Sequence, residues 1–219
     1  MAVILRRQGY QVNRKRVQRL MRQLGIEAIY PKPRLSQANP EHQVYPYLLR
    51  ELAITKSDQV WCTDITYLPV LKGNFYLVAL MDWFSRKVLS WRISNTLEVT
   101  FCVEALEEAI ANYGAPEIFN SDQGSQFTSR KFTECLKEVG VRISMDGRGR
   151  CHDNIFIERL WRSLKYELIY LVAFENGMHL KKEVCKWFNW YNKERPHQSL
   201  EYRTPEEVYW QKRATHKAD

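Results

Sequence analysis

Val60-Trp61-Cys62-Thr63-Asp64-Ile65-Thr66-Tyr67 is a run of β-branched and aromatic residues with one carboxylate in its middle. The composition predicts a strand, and a charge inside an apolar strand is costly unless it is paired or metal-bound. The same texture continues to Leu71, breaks at Lys72-Gly73, and resumes over Asn74 to Asp82 and Lys87 to Ser94. Three sequential strands in a meander are expected. Val99, Cys102, Leu106, Ala109, Ile110 and Tyr113 then form a helical stripe that stops at Gly114. Glu117 to Ser121 predicts a fourth strand leading into Asp122. Phe132, Leu136 and Val139 mark a helix, and Val141 to Met145 a fifth strand. A long helix is expected from about Asp153 to Tyr170 and another from Leu180 to Asn192. The order β-β-β-α-β-α-β-α-α predicts an α/β fold, a mixed five-stranded sheet flanked by helices.

Upstream the texture changes. Residues 1–50 hold ten Lys and Arg against two acids, whereas residues 51–219 balance at 23 of each sign. The whole net charge of +8 therefore lies in the first 50 residues, which suggests a polyanionic partner. Asn13 is a helix N-cap, Val17, Leu20, Met21 and Leu24 follow at helical spacing, and Gly25 is a stop. Val3 to Arg7 reads as the tail of an earlier helix closed by Gly9. Helix, turn and basic helix suggest a partial helix-turn-helix over residues 1–30, entered mid-motif at Met1, with Arg14, Lys15, Arg16 and Arg19 as DNA contacts. The bland alternative is an amphipathic helix with a solvated basic face. Pro31, Pro33, Pro40 and Pro46 make residues 31–57 a linker, leaving residues 58–212 as the main domain with its C-terminal helices.

Other classes fall away. No apolar run approaches the roughly 20 residues that span a bilayer, and residues 1–7 carry no secretory signal, so a cytoplasmic protein is expected. The five cysteines are scattered singly, without a C-x-x-C pair, and Cys151-His152 lacks a second pair at zinc-site spacing.

The chemistry lies in three acids. Cutting or exchanging a phosphodiester requires an activated oxygen nucleophile and a stabilised leaving oxygen, and two divalent ions roughly 3.5–4 Å apart supply both. Magnesium takes hard oxygen ligands and keeps several waters, so two or three carboxylates suffice. Asp64 lies in the first strand. Asp122 ends the fourth, within Asn120-Ser121-Asp122-Gln123-Gly124-Ser125-Gln126-Phe127, where Gly124 lets the backbone approach a phosphate. Glu158 falls on the long helix, and Asn154, Glu158, Arg162 and Lys165 share an arc of roughly 80° opposite Ile157, Leu160, Leu164, Leu168 and Leu171. Each acid alone has an ordinary reading, and Glu158 with Arg162 would be a common i, i+4 ion pair. Their joint placement is harder to reach by accident.

Trp61-x-x-Asp64, Asn120-x-Asp122-x-Gly124-x-x-Phe127 and Asp153-Asn154-x-x-x-Glu158 resemble the retroviral-integrase superfamily, including the 35 residues between Asp122 and Glu158. Met145-Asp146-Gly147-Arg148-Gly149-Arg150, Arg195-Pro196-His197-Gln198-Ser199-Leu200 and Thr204-Pro205 narrow the likeness to the catalytic reading frame of IS-three family insertion-sequence transposases. The resemblance covers nearly the whole chain. It implies a ribonuclease H-like core and Asp64, Asp122 and Glu158 as catalytic ligands of two Mg²⁺ ions, with Mn²⁺ able to substitute. It also implies 3′-end cleavage and strand transfer. Lys165 and Asn154 match the family's positions near the scissile phosphate. The implied partners are element-end and target DNA, the element's other reading-frame product and further copies of the chain on DNA, in a bacterial nucleoid setting and with no membrane.

Arg148 and Arg150, in a glycine-containing loop, are further candidate DNA contacts, alongside Arg162. His197 is read as a structural cap or a DNA-proximal group. Trp187, Phe188 and Tyr191 are read as core, and Trp190 as exposed. Two rivals remain: a truncated, catalytically idle fragment that binds element DNA or a partner subunit and restrains transposition, and a plain ribonuclease H.

Overall fold

The computed structural model describes residues 1–26, 43–71, 73–147 and 154–215. The chain divides into two compact units, Met1–Ala38 and Asn39–Asp219.

In the first unit α1 spans Ala2–Arg7 and α2 Arg14–Gln23. Asn13 Oδ1 accepts the Arg16 N–H at 2.8 Å, as expected of the cap. At the other end the Ile26 N–H returns to the Met21 carbonyl and the Gly25 N–H to that of Arg22. That pairing turns the residue after the cap left-handed, and Gly25 takes φ +65° without a Cβ penalty. Val17 is buried, while Arg14, Lys15, Arg16 and Arg19 are all exposed.

In the second unit β1 (Val60–Val70), β2 (Gly73–Asp82) and β3 (Val88–Ser94) form the meander. Then follow α3 (Thr100–Tyr113), β4 (Ile118–Ser121), α4 (Arg130–Glu138), β5 (Arg142–Met145) and α5 (Ile155–Leu164). A π-helical turn, Lys165–Ile169, leads towards α6 (Gly177–Lys193) and α7 (Pro205–Thr215). The sheet order is β3-β2-β1-β4-β5. β1 pairs with β2, and β2 with β3, antiparallel, while β1 with β4 and β4 with β5 are parallel. The expected mixed five-stranded sheet is present.

Both sheet faces are covered, so Leu77 to Met81 is apolar without alternation. Trp61, Val78, Leu80 and Phe119 pack with residues of α3, α4 and α7, including Leu106, Leu136 and Tyr209. Cys62, Leu77, Ala79 and Met81 face the other way, onto Ile157, Leu160, Val184, Trp187, Phe188 and Tyr191 of α5 and α6. Alternation therefore puts Asp64, two residues beyond Cys62, on the α5–α6 side.

Three expectations need correction. The second half of the segment read as linker packs onto the sheet: Leu49 is buried with Val60 and Ile118, and the Leu48 N–H donates to Ser144 Oγ. The long helix does not keep one period. In the π-helical turn the Tyr170 N–H reaches back five residues to the Lys165 carbonyl. The extra residue rotates the apolar stripe, so Ile169 is buried and Leu171 is 73% exposed. Finally, α7 was missed. Thr204-Pro205-Glu206-Glu207 is a capping box, in which the Glu207 N–H donates to Thr204 Oγ1 and the Thr204 N–H to Glu207 Oε2.

Candidate active site

β1 delivers Asp64, opposite Ala79 of β2. On its other side Cys62 pairs in parallel with Asn120 of β4. Asp122 follows directly on the end of β4, two residues past Asn120. The pairing of β1 with β4 brings the end of β4 to the strand that carries Asp64, near enough for the Asp122 charge to act on it. Glu158 arrives from the first turn of α5, which packs on that face, and is exposed.

The convergence has an electrostatic signature. Burial pushes the Asp64 carboxyl up to about 6, and the negative charges of Asp122 and Glu158 push the same way. The Trp161 indole opposes them, its Nε1–H donating to Asp64 Oδ2 at 2.9 Å. Asp122 is also raised, by burial, while Gly124 N–H donates to its Oδ1 at 2.9 Å. Asp122 nonetheless keeps an exposed edge, so ions in solution can reach it. A Cβ on Gly124 would stand 2.8 Å from Asp122 Oδ1. Gly124 thus admits the Asp122 carboxylate, where the sequence suggested room for a phosphate.

Neighbouring amides brace the floor. Asn120 Nδ2 donates to Asp146 Oδ1 and Gln123 Nε2 to the Asp146 carbonyl, each at 2.8 Å, so the ends of β4 and β5 are knitted together. Asn154 is buried and does not share an open polar stripe with Glu158. Its Nδ2 donates to the Thr63 carbonyl, beside Asp64. Its Oδ1, like that of Asn120, is buried with no hydrogen-bond donor among the described residues.

Among the described residues no three His, Cys, Asp or Glu side chains stand close enough together to hold an ion. The donor types fit a divalent cation all the same: three hard carboxylates, one in β1, one just past the end of β4 and one on α5, whose mutual repulsion a cation would relieve. Trp161 and Gln123 were missed as site residues. Trp161 is three residues past Glu158, a spacing that returns it to the same side of the helix.

The other candidates divide. Arg162 and Lys165 make no ion pair among the described residues. In particular Glu158 and Arg162 are not paired, and the Arg162 guanidinium lies 5.9 Å from the Tyr166 ring. Arg148, Arg150 and the pair Cys151-His152 fall outside the described residues. His197 packs edge-on to Tyr191 at 4.8 Å, and burial with Arg195 and Arg86 holds it down at about 4, a neutral structural imidazole. Arg195 pairs with Glu167 at 2.7 Å. Trp187, Phe188 and Tyr191 are core, and Trp190 is exposed, as expected.

A mixed sheet with acids at the β1–β4 junction and on a following helix defines the integrase-type, ribonuclease H-like class. Family models described as "Integrase core domain" match residues 54–151 and 139–205, and one described as "HTH-like domain" matches residues 1–34. The transposase for insertion sequence element IS904 of Lactococcus lactis is 31% identical over 210 residues, covering 93% of this chain and 83% of that protein. The transposase for element IS629 of Shigella sonnei is 30% identical over 207 residues, with 93% and 70% covered. This chain belongs to the insertion-sequence transposases of the retroviral-integrase superfamily. Solved structures share the fold. The simian T-cell lymphotropic virus intasome aligns with TM-score 0.61 at 18% identity, covering 78% of this chain and 60% of that one. The HTLV-2 integrase catalytic core domain in complex with magnesium aligns at 0.52 and 20%, with 70% and 96% covered.

Proposed function

We propose that this transposase cleaves DNA at the ends of its element and joins the freed 3′-OH to target DNA, with Asp64, Asp122 and Glu158 as metal-binding catalytic carboxylates. What supports this is that β1, the end of β4 and the first turn of α5 each bring an acid to one side of the sheet, with the charges of Asp122 and Glu158 both acting on the partly buried Asp64. Two Mg²⁺ ions, or Mn²⁺ in their place, would lower the pKa of the attacking oxygen and neutralise charge at the leaving one. The chain's own residues supply the frame. Asp64 stands on β1 and Asp122 just past the end of β4, Trp161 donates to the Asp64 carboxylate, and Glu158 would complete the set from an exposed position. Lys165 and Arg162 would hold the DNA backbone near the reaction, with Asn154 bracing Asp64 from beneath. Arg14, Lys15, Arg16 and Arg19 would contact element DNA from α2, and Arg148 and Arg150 would extend the grip.

The division into a DNA-binding segment (1–30) and a catalytic core (58–212), with the second half of residues 31–57 packed onto that core, is part of the same reading. So are assembly of several copies on paired ends, cooperation with the element's other reading-frame product, and action at the bacterial nucleoid. No helix among the described residues is long and apolar enough to cross a membrane.

The test is a labelled duplex carrying the element end, incubated with Mg²⁺ and either the wild type or Glu158→Gln. Nicking or joining is expected from the wild type. Losing a ligand should cost more than the roughly 10–100-fold typical of residues that only support ligands. Binding without metal-dependent cleavage by the wild type would leave the restraining role instead, and equal activity in the variant would remove Glu158 from the mechanism.

Trp161→Phe keeps the ring and deletes the donor to Asp64. A hydrogen bond to a charged group contributes about 1.5–3 kcal/mol, so cleavage at limiting Mg²⁺ should fall about tenfold or more, with DNA affinity unchanged. A Mg²⁺ titration of rate checks this. An unchanged metal requirement would make Trp161 mere packing.

A further inference from the structure

We propose that Arg162, Tyr166 and Tyr170 form a stacking ridge for unpaired DNA bases beside the reaction site, an inference that rests on the cleavage role proposed for Glu158. Tyr166 and Tyr170 are 66% and 62% exposed, large fractions for aromatic rings on a folded surface. They stand edge to face at 5.4 Å, and the Arg162 guanidinium caps the row 5.9 Å from the Tyr166 ring. Glu158, Arg162, Tyr166 and Tyr170 recur every four residues, so the row begins at a catalytic carboxylate. At about 1.5 Å per residue it runs roughly 18 Å along the helix, room for several nucleotides.

The tyrosines cannot turn inward to hide. The π-helical turn buries Leu168 and Ile169 on its other side. Glu167 is tied to Arg195, whose Nε also reaches both Glu167 carboxylate oxygens at 3.2 Å. The turn is pinned, and its aromatic side is left to the solvent.

Charge selects the occupant. Glu167 is the only acid between Arg159 and Tyr170, and it is committed to Arg195. Arg159, Arg162 and Lys165 make no ion pair among the described residues, so the stretch presents cations to a polyanion. Aromatic faces interleaved with such cations suit nucleic acid whose bases are free to stack. Bases inside a duplex offer no face, so the ridge would take strands opened or frayed near the scissile phosphate.

The test uses 2-aminopurine placed in the unpaired strand beside a duplex end, with the full chain in EDTA so that no cleavage can occur. The wild type should quench the fluorescence of bases adjoining the junction, and Tyr166→Phe/Tyr170→Phe should quench as well. Tyr166→Ala/Tyr170→Ala should lose the quenching and bind the partly unpaired DNA about tenfold more weakly, while binding a fully paired duplex as the wild type does. Both rings are exposed, so thermal melts of the variants should match. Wild-type quenching by the double alanine variant would overturn the ridge. So would loss of self-association on sedimentation with quenching intact, which would make the ridge a contact between copies. A Mg²⁺ cleavage assay on the same DNA separates the two readings. A wild type that quenches without cleaving supports the ridge and refutes the proposed catalysis.

Discussion

Asp64→Asn is expected to abolish metal-dependent cleavage and, at neutral pH without metal, to make the protein more stable. Asparagine keeps an oxygen to accept the Trp161 N–H but removes the charge. In the folded chain the Asp64 carboxyl titrates at about 6 against an ordinary 3.8, so the folded state holds its proton more tightly than the unfolded state does. A raised acid stabilises the fold while it is protonated. That contribution is lost as pH rises from about 4 through 6, and above 6 the full cost of the charge is present. The difference corresponds to at most about 3 kcal/mol, less for the part of the group that water reaches. Urea unfolding at pH 4.5 and 7.5 should show the variant gaining on the wild type only at the higher pH. Adding Mg²⁺ should raise the wild-type midpoint and leave the variant unmoved, because only the wild type has the charge that the cation relieves. A variant less stable at pH 7.5 would show that Asp64 is a structural acid and that no cation site has been strained into place.

Lys87→Ala should destabilise the fold strongly although it lies outside the site. Lys87 is 2% exposed, pairs with Glu206, and lies 4.9 to 5.2 Å from the rings of Tyr113, Tyr209 and Trp210. These contacts clamp α7 to the start of β3. Removing one partner of a fully buried ion pair costs about 3–5 kcal/mol, an upper bound here because Glu206 is partly exposed. For a domain of this size each kcal/mol moves the midpoint by about 2–4 °C, so the midpoint of thermal denaturation should drop by several degrees, at most roughly 20 °C. Lys87→Met keeps the stem volume, and Glu206 is partly exposed and can hydrate, so that variant should recover much of the loss. An unchanged midpoint in Lys87→Ala would mean that α7 is held by its other contacts, among them buried Val208 and Tyr209, whose hydroxyl donates to Asp58 at 2.8 Å.

Asp82 shows how far a lone acid can mislead. It ends a strand as Asp64 sits within one, is fully buried, and is likewise pushed up to about 6 by burial. Yet its oxygens are taken by the Ser85 N–H and hydroxyl and by the Asp58 N–H, at 2.5 to 2.8 Å. It is a turn cap. The rule that a strand carboxylate seeks a partner applies to both residues; the partners differ, and they come from distant parts of the chain.

The sequence by itself determined the strands, their order along the chain and the caps at Asn13 and Gly25, because periodicity, turn chemistry and capping act over a few residues. It also carried the capping box at Thr204, which was there to be read. Only the tertiary structure decided that β4 pairs with β1 and so brings Asp122 to the side of Asp64, and that Trp161 donates to an Asp64 oxygen. The same holds for Asn154 turning inward, and for the π-helical turn that buries Ile169 and leaves Tyr166 and Tyr170 outside. Those outcomes depend on strand register and on contacts such as Glu167 with Arg195, 28 positions apart, and no local pattern encodes a pairing whose energy exists only once the sheet and its helices have packed.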